Sequence, residues 1–255
     1  MVSLNVDVSE SGKKRRGLAR LTKVEGYTVH PFDVENGVRT SGIIPGRFLK
    51  SGHRHDRHST AYFGVAPSVF HGLLRRWQKC RPRAPVEEFT FVDVGAGMGR
   101  AMLLASELPF KRIQGVELNP ALAGFARRNA AKWRAARRTS MQMRVTCGDA
   151  VEFQFPKGPC LVFLFNPFGA SVMRRLLARI ASTFRDRPGL VDLLYVNHEQ
   201  EHVFEGQRGF VRLYLGQLKR SRADAIADHR IMANQPDGEY EASNHEDCSI
   251  WRWEG

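Results

Sequence analysis

Cysteine is scarce and never paired in sequence. Cys80, Cys147, Cys160 and Cys248 are spread through 255 residues with no C-x-x-C and no framework spacing, so a disulfide scaffold is excluded and reduced, mostly buried thiols are expected. Long apolar runs are missing too: none approaches the ~18 residues that a membrane-spanning helix needs. The opening Met1-Val-Ser-Leu-Asn-Val-Asp has neither the basic stretch nor the continuous apolar stretch of a secretory signal. These absences predict a cytoplasmic protein with no membrane partner. No internal repeat and no low-complexity tract is found. One local absence stands out: no carboxylate lies between Glu117 and Asp149, where Arg127, Arg128, Lys132, Arg134, Arg137, Arg138 and Arg144 all fall. Part of that bias suits a helix end, and a solvated face is preferred there to a docking surface.

The composition, 42% hydrophobic and 25% charged, is that of an ordinary globular chain, long enough for one large α/β domain. The net charge of +13 favours a polyanionic or acidic partner and makes nucleic-acid contact possible. Residues 1–24 are polar, carry Lys13-Lys14-Arg15-Arg16 and show no apolar period, as a solvated, disordered arm would. From Val29 to His58 turn formers dominate (Asn36-Gly37, Ser41-Gly42, Pro45-Gly46), which predicts an irregular segment over the core. The chain thus divides into an arm and cover segment, 1–58, and a main domain, 59–255. His53, His55 and His58 lie close together, but without further ligands at zinc spacing they read as solvated loop histidines and no metal is expected.

The main domain begins with a helix whose apolar positions Val69, Phe70, Leu73, Leu74 and Trp77 repeat near 3.6 residues. Then strands and helices alternate. Phe89–Val94 is a strand that ends on Asp93 and breaks into Gly95-Ala-Gly97-Met-Gly99, followed by the helix formers Ala101-Met-Leu-Leu-Ala. Such a turn lets a ligand approach the backbone and the first N–H groups of the helix. Arg112–Glu117 ends on a second carboxylate before the N-cap pair Asn119-Pro120. Met141–Cys147 ends in Gly148-Asp149-Ala150, and the unbroken Cys160–Phe165 ends in Asn166-Pro167-Phe168-Gly169. Leu190–Val196, Phe210–Leu215 and Ile250–Trp253 complete the strands, the last two separated by a polar insertion, Gln217–Asp247. Ligands of open parallel sheets bind beyond the carboxyl ends of the strands, where Asp93, Glu117, Asp149 and Asn166 collect. Twenty residues separate Gly97 from Glu117, about the interval that brings an acidic side chain to a ribose. Arg100 stands where a dinucleotide G-x-G-x-x-G would need its third glycine.

The pattern Asp93-x-Gly95-x-Gly97-x-Gly99, with Glu117, Gly148-Asp149-Ala150 and Asn166-Pro167-Phe168, resembles the class I S-adenosylmethionine-dependent methyltransferases. It is more distantly similar to the seven-strand protein-lysine methyltransferases. The resemblance runs from about Tyr62 onward. It implies a Rossmann-like α/β fold: a mostly parallel seven-stranded sheet with an antiparallel element at the C-terminal edge and helices on both faces. It also implies S-adenosyl-L-methionine as cofactor and S-adenosyl-L-homocysteine as product. By the same resemblance Asp93, Gly95, Ala96, Gly97, Met98 and Gly99 would cradle the methionine end, with Tyr62 and Ser68 closing over it. Glu117 and Leu118 would meet the ribose, and Asp149 and Ala150 the adenine. Asn166, Pro167 and Phe168 would form the catalytic acceptor side, where oxygens hold an uncharged target nitrogen. A protein side-chain nitrogen is the favoured acceptor, followed by nucleic acid and by a small-molecule amine or hydroxyl. A cofactor-binding regulatory protein without turnover is the alternative of another class.

Overall fold

Alternating apolar strands and amphipathic helices fold into a layered α/β domain in a computed structural model that describes residues 28–139, 141–235 and 238–255. The basic run Lys13–Arg16 lies outside the described residues. In chain order the elements are α1 (Pro31–Asn36), β1 (Ile43–Ile44), β2 (Tyr62–Phe63), α2 (Pro67–Lys79), β3 (Thr90–Val94) and α3 (Arg100–Ala105). There follow β4 (Arg112–Glu117), α4 (Pro120–Ala135), β5 (Met143–Cys147), β6 (Cys160–Phe165) and α5 (Ala170–Thr183). The chain closes with β7 (Val191–Val196), α6 (Glu201–Glu205), β8 (Phe210–Lys219), α7 (Arg222–Ala233) and β9 (His245–Trp253).

The seven-stranded sheet has the order β5-β4-β3-β6-β7-β9-β8. Strands β3 to β7 pair in parallel. β9 runs antiparallel between β7 and β8, so the antiparallel element sits one place in from the edge. Successive residues of the central strands serve opposite layers, as the pleat demands. Phe91, Leu161, Phe163 and Leu194 face α2, α3 and α4, whereas Val92, Val162, Leu164 and Leu193 face α5 and α6. Both faces are covered, which is why β3, β6 and β7 are almost continuously apolar. The strand order reverses between β3 and β6, and that switch point marks where a ligand crevice opens.

The cover segment is less irregular than its turn formers suggest. Pro31 starts α1 and Gly37, at φ 64°, ends it. The segment is bound to the domain by a polar knot. The Asp33 carboxylate accepts from Thr40 N and Oγ1 (2.5 Å each) and from Ser41 N and Oγ (2.7 Å each). Arg100, buried at the start of α3, donates to Thr40 Oγ1 (2.7 Å), to Ser41 Oγ (3.3 Å) and to the carbonyls of Gly64 and Val65. It lies 3.8 Å from Asp33. Asn129 adds a second tie, donating to the carbonyls of Arg39 and Met98 while accepting from Arg39 N.

The insertion Gln217–Asp247 also needs correction, since β8 extends to Lys219, β9 begins at His245, and α7 lies between them. Ser221 caps α7 by accepting from Asp224 N, and Asp224 in turn accepts from Ser68 N (2.9 Å), docking α7 on the first turn of α2. Removing Asp33 leaves the Arg100 guanidinium buried without its counter-charge. Asp33→Ala is therefore expected to cost about 3–5 kcal/mol of stability, read from urea unfolding; an unshifted midpoint would show that the knot does not hold the cover.

Candidate functional site

Beyond the carboxyl ends of β3, β4, β5 and β6 a cavity opens under the cover segment. Tyr62, Gly95, Gly97, Glu117, Leu118, Asp149, Ala150, Pro167 and Phe168 line it. Four other candidates stand behind or beside that wall. Asp93 is buried at the end of β3, Ala96 donates its N–H to Val116 O, Met98 packs against Tyr62 and Leu122, and Gly99 caps α3. Ser68 lies elsewhere, its hydroxyl accepting from Ser221 N (2.8 Å) at the α2–α7 junction. Asn166 is buried next to the lining, its side-chain oxygen facing the Tyr195 hydroxyl (3.5 Å) and not the cavity.

The glycine turn follows from close packing as well as from conformation. Gly95 and Gly97 take φ 75° and 53°, where a side chain is strained. A Cβ on Gly95 would stand 2.5 Å from Pro167 Cβ, and one on Gly97 2.3 Å from the Tyr62 ring. The Tyr62 hydroxyl donates to Thr40 O (2.7 Å), so the ring that covers the loop is anchored through the cover segment.

Glu117 organises the other side. Its Oε2 accepts from Gly97 N and its Oε1 from Asn119 N, both at 2.8 Å. With the cavity on its open side, the carboxylate is held in place by backbone donors. Burial raises its pKa, opposed by the backbone N–H groups of Asn119, Gly97 and Leu118. Asp93 has no hydrogen-bond donor against its carboxyl among the described residues, and burial, reinforced by the neighbouring Glu117 charge, pushes it up to about 8. Two buried acids thus share one site with little to neutralise them, an arrangement that marks functional clefts.

The histidine loop corrects the expectation of solvated side chains. Asp56 folds it by accepting from Ser51, Gly52 and His53 N–H groups. This buries His55 in the cavity wall with its Nδ1 2.9 Å from Asp149 Oδ2, while His53 Nε2 lies 4.0 Å from the same oxygen. Their three polar atoms fall within 4.8 Å of one another. However, His53 Nδ1 accepts from His55 N (3.2 Å), and Arg175 Nη1 stands 3.2 Å from His55 Nε2. With donors against the outer nitrogens, the nitrogens facing Asp149 carry the protons, the reverse of what a metal-bound imidazole requires. The sequence signal for this placement was the loop itself, Gly52-His-Arg-His-Asp56, whose aspartate invites a turn that gathers its neighbours.

A measurable pH dependence follows from Asp93. Its pKa moves from an ordinary 3.8 to about 8 on folding, so across that interval the folded state holds a proton that the unfolded state has lost. Stability is therefore full below the lower value and declines as pH rises through the upper one. Wild type is expected to lose several kcal/mol across this window, and Asp93→Asn to show a distinctly shallower slope in urea unfolding; parallel slopes would contradict the assignment.

Scans against protein-family models and against characterised protein sequences return no match. Solved structures are similar in fold. The [4+2]-cyclase SpnF aligns with a TM-score of 0.51 at 16% identity, covering 72% of this chain and 81% of its own. Precorrin-6y C5,15-methyltransferase of Geobacter metallireducens GS-15 aligns at 0.48 and 18% identity, covering 73% and 87%. Magnesium protoporphyrin IX methyltransferase of Synechocystis PCC 6803, solved with bound S-adenosylmethionine, aligns at 0.46 and 12%, covering 72% and 77%. With its strand order and its antiparallel β9, the chain has a Rossmann-like α/β fold, which SpnF shares.

Proposed function

We propose that the protein is an S-adenosyl-L-methionine-dependent methyltransferase whose acceptor is a nitrogen of a protein side chain. The observation that carries the cofactor reading is a cavity beside the glycine turn lined by the strand-end carboxylates Glu117 and Asp149, with the Asp93 carboxylate buried behind its wall. The residues fit the group. The Glu117 carboxylate lines the cavity and can accept from a ribose hydroxyl there. The partnerless Asp93 carboxyl suits the cationic methionine end, and Asp149, whose Oδ1 already accepts from Val151 N (3.0 Å), is held firmly at the other end of the cavity. When bound, the cofactor supplies a methyl carried on a sulfonium and open to in-line displacement. The chain's own task is then alignment and exclusion of water, for which Tyr62 and the apolar Pro167 and Phe168 are placed.

The acceptor reading is supported by the turn after β6. Asn166 takes φ 37°, a costly conformation ahead of proline. An extended piece of the chain already lies along this turn: Ser59 bridges Phe168, the Thr60 hydroxyl donates to Asn166 O, and Gly169 N donates to His58 O (3.0 Å). A surface that receives its own polypeptide in this way suits an acceptor presented on an extended polypeptide.

Asp93→Ala is expected to weaken S-adenosylhomocysteine binding about tenfold or more, since a charged hydrogen bond contributes ~1.5–3 kcal/mol; unchanged calorimetric affinity would refute the cofactor reading. Asn166→Ala, which takes away the residue type suited to φ 37° and so disturbs the turn on the acceptor side, should leave that affinity intact and lower transfer of labelled methyl into a cell extract. Protease treatment of the extract beforehand should abolish labelling and nuclease should not; the opposite pattern would replace the protein acceptor with nucleic acid.

A further inference from the structure

Helix α4 carries an outward face that the cavity chemistry does not use. Its inner side, with Leu122, Ala126, Asn129 and Trp133, is buried against the domain, while Arg127, Arg128, Lys132 and Arg134 stand exposed, followed by exposed Arg137 and Arg138. Among the described residues none of these six has a carboxylate partner. The contacts they do make are to backbone carbonyls or rings: Arg127 to Val145 O, Lys132 to Gly37 O, Arg138 to Glu35 O and over Trp133. The helix dipole accounts for cations in the last turn, but not for Arg127 and Arg128 near its middle. Ala131 and Ala135 lie exposed between the basic residues, leaving the guanidinium groups accessible to a partner.

We infer that this face docks an unpaired RNA strand. Five of the six cations are arginine, whose planar fork suits phosphate oxygens and whose flat surface stacks on bases. At the cavity end of the face Phe125 is half-buried, with the guanidinium of Arg128 4.5 Å and that of Arg39 5.3 Å from its ring centre. This layered arginine–phenylalanine group is the kind of platform on which single-stranded bases stack. A duplex fits less well: α4 is packed flat on the sheet along its whole buried side and cannot enter a groove, whereas a flexible strand can lie across it. Leu122, one turn before Phe125 on the buried side of the same helix, lines the cavity, so the basic face and the site share one helix. The inference stands on charge and geometry, independent of methyl transfer.

Fluorescence anisotropy of the full chain with a labelled 20-nucleotide oligouridylate tests it. Wild type should bind, with affinity falling steeply as salt rises. Arg128→Gln/Arg134→Gln/Arg137→Gln should weaken binding at least tenfold and make the salt slope shallower by about 2, near 0.7 per lost phosphate contact. Neutralising Arg185 and Arg208, exposed elsewhere, should change little, and the pair Arg134→Gln/Arg137→Gln, which leaves the Phe125 stack untouched, should show an intermediate loss with an unaltered thermal midpoint. Three results would overturn the inference: no binding by wild type; full binding by the triple variant with loss on neutralising Lys13–Arg16; or equal affinity for polyglutamate of the same length, which would assign the face to an acidic protein.

Discussion

A single buried guanidinium decides how this molecule is put together. Arg100 opens the helix after the glycine turn and reaches back to Thr40, Ser41, Gly64 and Val65, with Asp33 as its counter-charge. Burying such a charge is costly unless every donor is met, and here the partners come from a segment distant in sequence. The cover can therefore take only the position that satisfies Arg100. That position sets Tyr62 over Gly97 and Thr60 against the turn after β6, so the walls of the cavity are fixed from the back of the glycine turn. The same arginine removes the third glycine of a dinucleotide loop, and the structure shows what its side chain does instead.

Much of the sheet was legible in the residues because both faces of it are buried. A continuous apolar run of six residues such as Cys160–Phe165 is the length of a buried strand, and the acidic or asparagine residues at the ends of β3, β4, β5 and β6 mark where apolar packing stops. What escaped were elements whose stability comes from partners far along the chain. Helix α1 rests on the Asp33 knot, and α7 on Ser68 and a buried Arg220–Asp228 pair (3.0 Å); neither has a strong apolar stripe. Ser221 with Asp224 three residues on was the available cap signal for α7. At the site the glycine turn, Glu117 and Asp149 could be placed from spacing, but the inward turn of His55 depends on Asp56 folding its own loop. Ser68 lay outside the cavity because proximity to the first strand in sequence says little about which helix face it occupies.

The distribution of charge separates two regions with different work. The protein is strongly basic overall, yet its cavity gathers carboxylates, two of them in surroundings that favour the neutral form. A cationic ligand would relieve that tension by restoring charge to the acids, so recognition of the ligand and ionisation of the site are coupled. The basic residues lie on the opposite side of the cavity wall, on a helix whose buried face supports the glycine turn through Asn129. One helix thus serves the small-molecule site on its inner side and faces solvent with the charge of a polyanion-binding surface.

The place of β9 has a consequence for biosynthesis. Among the described residues β8 pairs only with β9, and β9 also pairs with β7. As the chain leaves the ribosome, β8 appears first and has no neighbour to join, since its seat in the sheet does not exist until β9 has slid in beside β7. The parallel core through β7 can assemble while synthesis continues, but β8 must wait as an unpaired ribbon for some two dozen further residues. Closure of this edge therefore belongs to the end of synthesis, after the parallel core has had time to form.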